Sequence, residues 1–97
     1  MNDQLEKLLI QYNAELIKMN IKGRRCEGFC GETGLRGLHD EQTQICHLKW
    51  MLDEVLDNGK DWDGTALNRW VGFIQGILWC VKFRSTLEIS KENKNVK

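Results

Sequence analysis

Cys26 and Cys30, in the stretch CEGFC, stand at C-x3-C spacing, and His39, Cys46 and His47 follow downstream. Thiolate and imidazole groups suit zinc, and Cys26, Cys30, His39 and Cys46 form the set that would hold it, which would also order the loop around them. The double C-x2-C spacing of zinc modules is absent, and Cys46 is equally explained as a residue flanking the apolar seam of a helix. The expectation is no cofactor, with structural zinc as the alternative. A cysteine nucleophile needs a base within hydrogen-bond reach. Cys46 and His47 are adjacent, and adjacent residues on a helix do not face each other. Neither G-x-S-x-G nor H-E-x-x-H occurs. No catalytic residue is assigned, and the chain is read as a non-enzyme.

The stretch RWVGFIQGILWC, residues 69 to 80, holds chemistry of another kind. Leu67, Val71, Ile74, Leu78 and Val81 repeat at four and three, and Trp70, Phe73, Ile77 and Cys80 form a second stripe. Removing both leaves a narrow face of Asn68, Gly72, Gln75, Gly76 and Trp79. A glycine inside a helix costs about 1 kcal/mol against alanine, so two of them one turn apart need a reason. One reason is close packing, with Gly72 and Gly76 admitting another helix backbone, from this chain or from a second copy in a homo-oligomer. The other is a groove floored by glycine and walled by Trp70 or Trp79, with Asn68 and Gln75 as hydrogen-bonding groups.

Two further features could meet a partner. Arg24, Arg25 and Arg36 lie in a segment, KGRRCEGFCGETGLRGLHD, that carries five glycines. Flexible backbone amides beside arginines can cradle a phosphate, but no G-x-x-x-x-G-K-[ST] is present. Trp62 stands in the polar connection KDWDG, where it either anchors an interface or folds back as a lid over the helices. The 97 residues carry 14 basic and 14 acidic side chains, which argues against direct nucleic-acid binding.

The elements that must position these residues are helical. There is no proline, so glycine is the main punctuation. Leu5, Leu9, Tyr12, Leu16 and Met19 predict a first helix over residues 3 to 21, capped by Asp3. Residues 22 to 39 read as a glycine-rich loop, long for a small domain. Ile45, Leu48, Leu52 and Val55 predict a second helix over 40 to 56, capped by Asp40. The third runs over 64 to 83 from a cap at Asp63 or Thr65, antiparallel to the second across a short connection. Leu87 and Ile89 suggest one further turn, and residues 91 to 97 a frayed tail. The expected fold is all-α: a single three-helix domain over residues 1 to 90. No signal-peptide core or membrane-spanning run is seen, and the four cysteines are expected to be reduced in the cytoplasm.

CHLKWMLDEV followed by LNRWVGFIQGILW resembles a set of small tailed-bacteriophage proteins. Their shared pattern is His-Leu-x-Trp-Met, a polar connection, then Arg-Trp-x-Gly-Phe-x-Gln-Gly. It corresponds here to His47, Leu48, Trp50 and Met51, then Arg69, Trp70, Gly72, Phe73, Gln75 and Gly76. The resemblance covers roughly residues 45 to 80 and implies a viral setting in a host cytoplasm, with no mechanism attached. A fainter similarity is to phage helical hairpins that sequester cyclic-nucleotide immune messengers. The Gln75-Gly76 spacing departs from theirs, and no ligand residue is carried over. The resulting expectation is a non-catalytic interaction protein that binds and modulates a host protein, of the antiviral defence or transcription machinery. Trp62, Arg69, Trp79 and Gln75 are its expected contacts, with Arg24 and Arg25 secondary. The alternative is a sponge for a cyclic nucleotide signal, with Arg69 on phosphate and Trp79 or Trp70 stacked on a base. A structural role in the virion comes third.

Overall fold

A computed structural model describes residues 1–26 and 40–96 of the chain. Among these, all regular structure is helical: α1 (Asp3–Lys18), α2 (Glu41–Asn58), α3 (Gly64–Cys80) and α4 (Thr86–Lys94), with a 3-10 turn at Gly59–Asp61 between α2 and α3. The all-α expectation holds, with one helix more than the three foreseen. No helix among the described residues is long and apolar enough to cross a membrane.

Each start is set by a side chain that accepts an otherwise unpaired amide. Asn2, rather than Asp3, caps α1 by accepting from the Leu5 amide at 2.7 Å. Asp40 accepts from the Thr43 amide at 2.7 Å, and Asp63 from the Ala66 amide at 2.8 Å. Ser85 and Glu88 form a reciprocal capping box at the head of α4.

The ends of α1 and α3 differ from the sequence expectation. α1 stops at Lys18, not 21, and α3 at Cys80, not 83. Both are closed by a residue in the left-handed region, Asn20 at φ 58° and Lys82 at φ 65°. Beyond each, an amide reaches back five residues: Ile21 to the Leu16 carbonyl at 3.1 Å, and Phe83 to the Leu78 carbonyl at 2.9 Å. This is Schellman closure with a non-glycine residue where glycine usually stands.

The core joins one face from each of α1, α2 and α3. Leu9, Tyr12 and Leu16 meet Leu48, Leu52 and Val55, with Ile74 and Leu78 completing it. Ring contacts fix the sense of the α2/α3 pair. Trp50 meets Trp70 and His47 meets Phe73, so the partner's number rises on α3 as it falls on α2. The helices are antiparallel, as the short connection requires.

α4 corrects the expectation of a frayed tail over residues 91 to 97. The helix continues to Lys94, and Val96 packs against the core. None of the α4 residues is itself buried, and its attachment is mostly polar. The Tyr12 hydroxyl donates to Glu92 Oε1 at 2.8 Å and accepts from Gln75 Nε2 at 3.3 Å. Gln75 and Asn93 pair through reciprocal amide bonds of 2.7 and 3.2 Å. Arg84, with a side chain 9% exposed, donates from Nε to Glu92 at 3.0 Å and from Nη1 to Glu15 at 3.1 Å. Burial pushes the Tyr12 phenol well above its usual range. The hydrogen bond to Glu15 holds the Arg84 guanidinium in its charged form even more firmly than usual.

Candidate functional site

The antiparallel α2/α3 pair presents a cleft of about 350 Å³ lined by Arg25, His47, Trp50, Met51, Arg69, Trp70 and Phe73. Its aromatic wall is continuous. Trp62 meets Trp70 at 4.7 Å between ring centroids, Trp70 meets Trp50 at 5.9 Å, and His47 stacks on Trp50 at 5.6 Å. Phe73 stands edge-on to His47 at 6.4 Å and is 44% exposed.

The segment after α1 brings in the first cation. Gly23 lies against α2 so closely that a Cβ there would sit 3.1 Å from the Trp50 backbone. The Arg24 amide donates to the Cys46 carbonyl at 3.0 Å, and the Cys26 amide to His47 Nδ1 at 3.0 Å. The second bond places the His47 ring proton on Nε2. These anchors leave the Arg25 guanidinium over the Trp50 ring, 5.5 Å from its centroid, in a cation–π contact. Arg69, one helical turn before Phe73 on α3, supplies the second cation. Among the described residues, neither Arg25 nor Arg69 has a carboxylate within ion-pairing distance.

The residues singled out from sequence separate into three groups. Arg69 and Arg25 line this cleft. Trp62 borders it by folding back onto Trp70, half-buried, in the lid arrangement rather than as a protruding anchor. Arg24 faces a neighbouring depression with Asp40, Gln42 and Cys46.

Gln75, Trp79, Gly72 and Gly76 lie elsewhere. Gln75 lines the same groove as Trp79, but it is 7% exposed and its amide is engaged with Tyr12 and Asn93. A polar side chain inside an apolar helix is here the joint to α4. Trp79, 57% exposed, borders a shallow groove of about 280 Å³ between α3 and α4, with Gly72, Gly76, Thr86 and Ile89. A Cβ added at Gly72 or Gly76 would meet nothing within 4 Å. Close packing at those two glycines is therefore not found among the described residues. Gly23 does admit a helix backbone.

Of the proposed zinc ligands, Cys30 and His39 lie outside the described residues, as does Arg36. Cys46 is a free thiol, and its Sγ accepts from Gln42 Nε2 at 3.6 Å; the Cys26 amide is held by His47 Nδ1. No group of three or more His, Cys, Asp or Glu placed to hold a metal occurs among the described residues.

Sequence reasoning missed His47, Trp50, Met51 and Phe73 as cleft residues, because each also fits an apolar or flanking stripe. The usable signal was their number: four large or aromatic side chains flanking the two core seams are more than one buried face can absorb. Comparison with family models, curated proteins and solved structures returns no match for this chain.

Proposed function

We propose that the protein is a non-catalytic, phage-encoded interaction protein that binds a host protein through the α2/α3 cleft and modulates it by occupying its surface. A component of host antiviral defence or transcription fits the viral setting. The observation that carries this reading is the convergence in the cleft. His47, Trp50, Met51, Arg69, Trp70 and Phe73, six of the ten residues of the phage-like pattern, line one concavity. Aromatic rings and arginines are the side chains that dominate binding energy at protein interfaces.

Affinity capture from host lysate tests the reading. The native chain should retain one host protein at a fixed ratio. Arg25→Glu/Arg69→Glu should lose it, and Trp79→Ala, on the other groove, should keep it. Retention that depends on Trp79 and ignores the two arginines would refute the assignment of the cleft.

A second reading, sequestration of a cyclic nucleotide signal, draws on one observation: two guanidinium groups, without a carboxylate partner among the described residues, flank an aromatic concavity near the lower limit of small-ligand sites. Thermal shift with cyclic di- and trinucleotides, abolished by Arg69→Ala, would favour it. No shift with any of them would remove it.

A further inference from the structure

The cleft also narrows the chemistry of what it would hold, an inference that rests on the proposed protein-binding function. Three properties bear on it. The first is charge. Arg25 and Arg69 stand at the cleft without carboxylate partners among the described residues, in a chain of zero formal net charge. Elsewhere in the fold the buried cations are matched: Lys49 pairs with Asp53, and Arg84 with Glu15 and Glu92. Among the described residues, the cleft therefore holds positive charge with no carboxylate in ion-pairing distance.

The second property is the state of the rings. A nucleobase needs an open ring face on which to stack. The Trp50 ring is engaged by His47, by Trp70 and by the Arg25 guanidinium. The Trp70 ring is tilted against both Trp50 and Trp62. What remains is an apolar recess between tilted rings, shaped for a side chain entering end-on.

The third is the scarcity of neutral hydrogen-bonding groups. Selective recognition of a base edge needs several donors and acceptors. Apart from the tryptophan indole N–H groups, the polar lining consists of two arginines and His47, and His47 Nδ1 already accepts from the Cys26 amide. Arginine presents a planar fork that matches a carboxylate with two parallel bonds.

We propose that the α2/α3 cleft takes an acidic apolar segment of a partner protein. A Phe, Leu or similar side chain enters between Trp50, Trp70 and Phe73, and flanking Asp or Glu carboxylates meet Arg25 and Arg69. The carboxylates steer the approach and set the register, and the apolar side chain supplies the desolvated centre of the contact.

The test uses the full chain, labelled with ¹⁵N, and three synthetic acetylated peptides. The first has a Phe-Leu pair flanked on both sides by glutamates, the second replaces every Glu with Lys, and the third replaces the Phe-Leu pair with serines. The acidic apolar peptide should shift the indole N–H signals of Trp50 and Trp70 and leave that of Trp79 in place. Its affinity should fall at least tenfold with Arg69→Glu and should weaken as salt is raised. Arg25→Glu/Arg69→Glu should reverse the preference and bind the lysine peptide. Both variants change exposed side chains, and their unchanged spectra outside the cleft report that they fold.

Equal binding of the acidic and basic peptides overturns the proposal, as does equal binding of the serine peptide. Capture of a host protein that needs Trp70 but tolerates Arg25→Glu/Arg69→Glu overturns the proposal and leaves the protein-binding function standing. A cyclic dinucleotide that shifts the same two indoles, where the acidic peptide does not, overturns both.

Discussion

Arg84→Met removes the charge that joins α4 to the rest of the protein, and the loss can be worked from its partners. The bond to Glu92 is largely shielded from solvent, with side chains 9% and 19% exposed. Charge-assisted bonds of that kind contribute about 1.5–3 kcal/mol. The Glu15 partner is 45% exposed, so solvent screening holds that pair to under about 1 kcal/mol. Together they amount to about 2–4 kcal/mol. α4 buries none of its own residues, and a nine-residue helix has little stability alone. The loss should therefore fall on α4 while α1 to α3 stay folded around their shared core. Native-state hydrogen exchange reads this directly. Amides from Ile89 to Asn95 should lose protection by about 30- to 1,000-fold, the equivalent of that free energy at about 1.4 kcal/mol per tenfold. Circular dichroism should lose the signal of one nine-residue helix. Arg84→Lys should fall between, because an ammonium cannot fork to both carboxylates. Unchanged protection in α4 would refute the polar joint, and cooperative loss of all four helices would refute its independence from the core.

Three more outcomes follow from the same geometry. Gly72→Ala and Gly76→Ala each meet open space and should raise stability in urea unfolding by about 0.5–1 kcal/mol, whereas Gly23→Ala, pressed against the Trp50 backbone, should lower it. Lys82→Gly relieves a left-handed residue at the end of α3 and should stabilise by about 1 kcal/mol, seen as a rise in the thermal midpoint. Because burial raises the Tyr12 phenol above its ordinary value of about 10, the unfolded chain loses that proton first. Stability present below pH 10 should then fall by about 1.4 kcal/mol per pH unit above it, until the folded phenol ionises. Tyr12→Phe should remove that part of the alkaline decline, as measured by urea midpoints across pH 9 to 12.

Local signals made much of the fold legible. Asp40 and Asp63 stand before runs with four-and-three apolar spacing, so the starts of α2 and α3 and their antiparallel pairing could be read from the chain. Helix ends could not, because Asn20 and Lys82 close α1 and α3 at positions where glycine is the usual marker. α4 carried a readable signal, the Ser85-x-x-Glu88 capping box, but its low apolar content made it look like a tail. Gln75 illustrates the limit at the site. A polar residue on a helix face reads the same whether it awaits a ligand or bonds to Tyr12 and Asn93 from two other helices. Arg25 was legible only as loop charge. Its place over Trp50 depends on the close approach of Gly23 and on two backbone hydrogen bonds to α2, contacts that no local pattern encodes.

The central claim, that the α2/α3 cleft is where a partner protein binds, is tested most directly by site-specific photo-cross-linking in host cells. Phe73, at the edge of the cleft, is replaced by benzoylphenylalanine, and Ile17, exposed on α1, serves as the control position. The account predicts one protein adduct from position 73, lost with Arg25→Glu/Arg69→Glu, and none from position 17. An adduct that forms from position 17 alone, or no protein adduct from position 73, would contradict it.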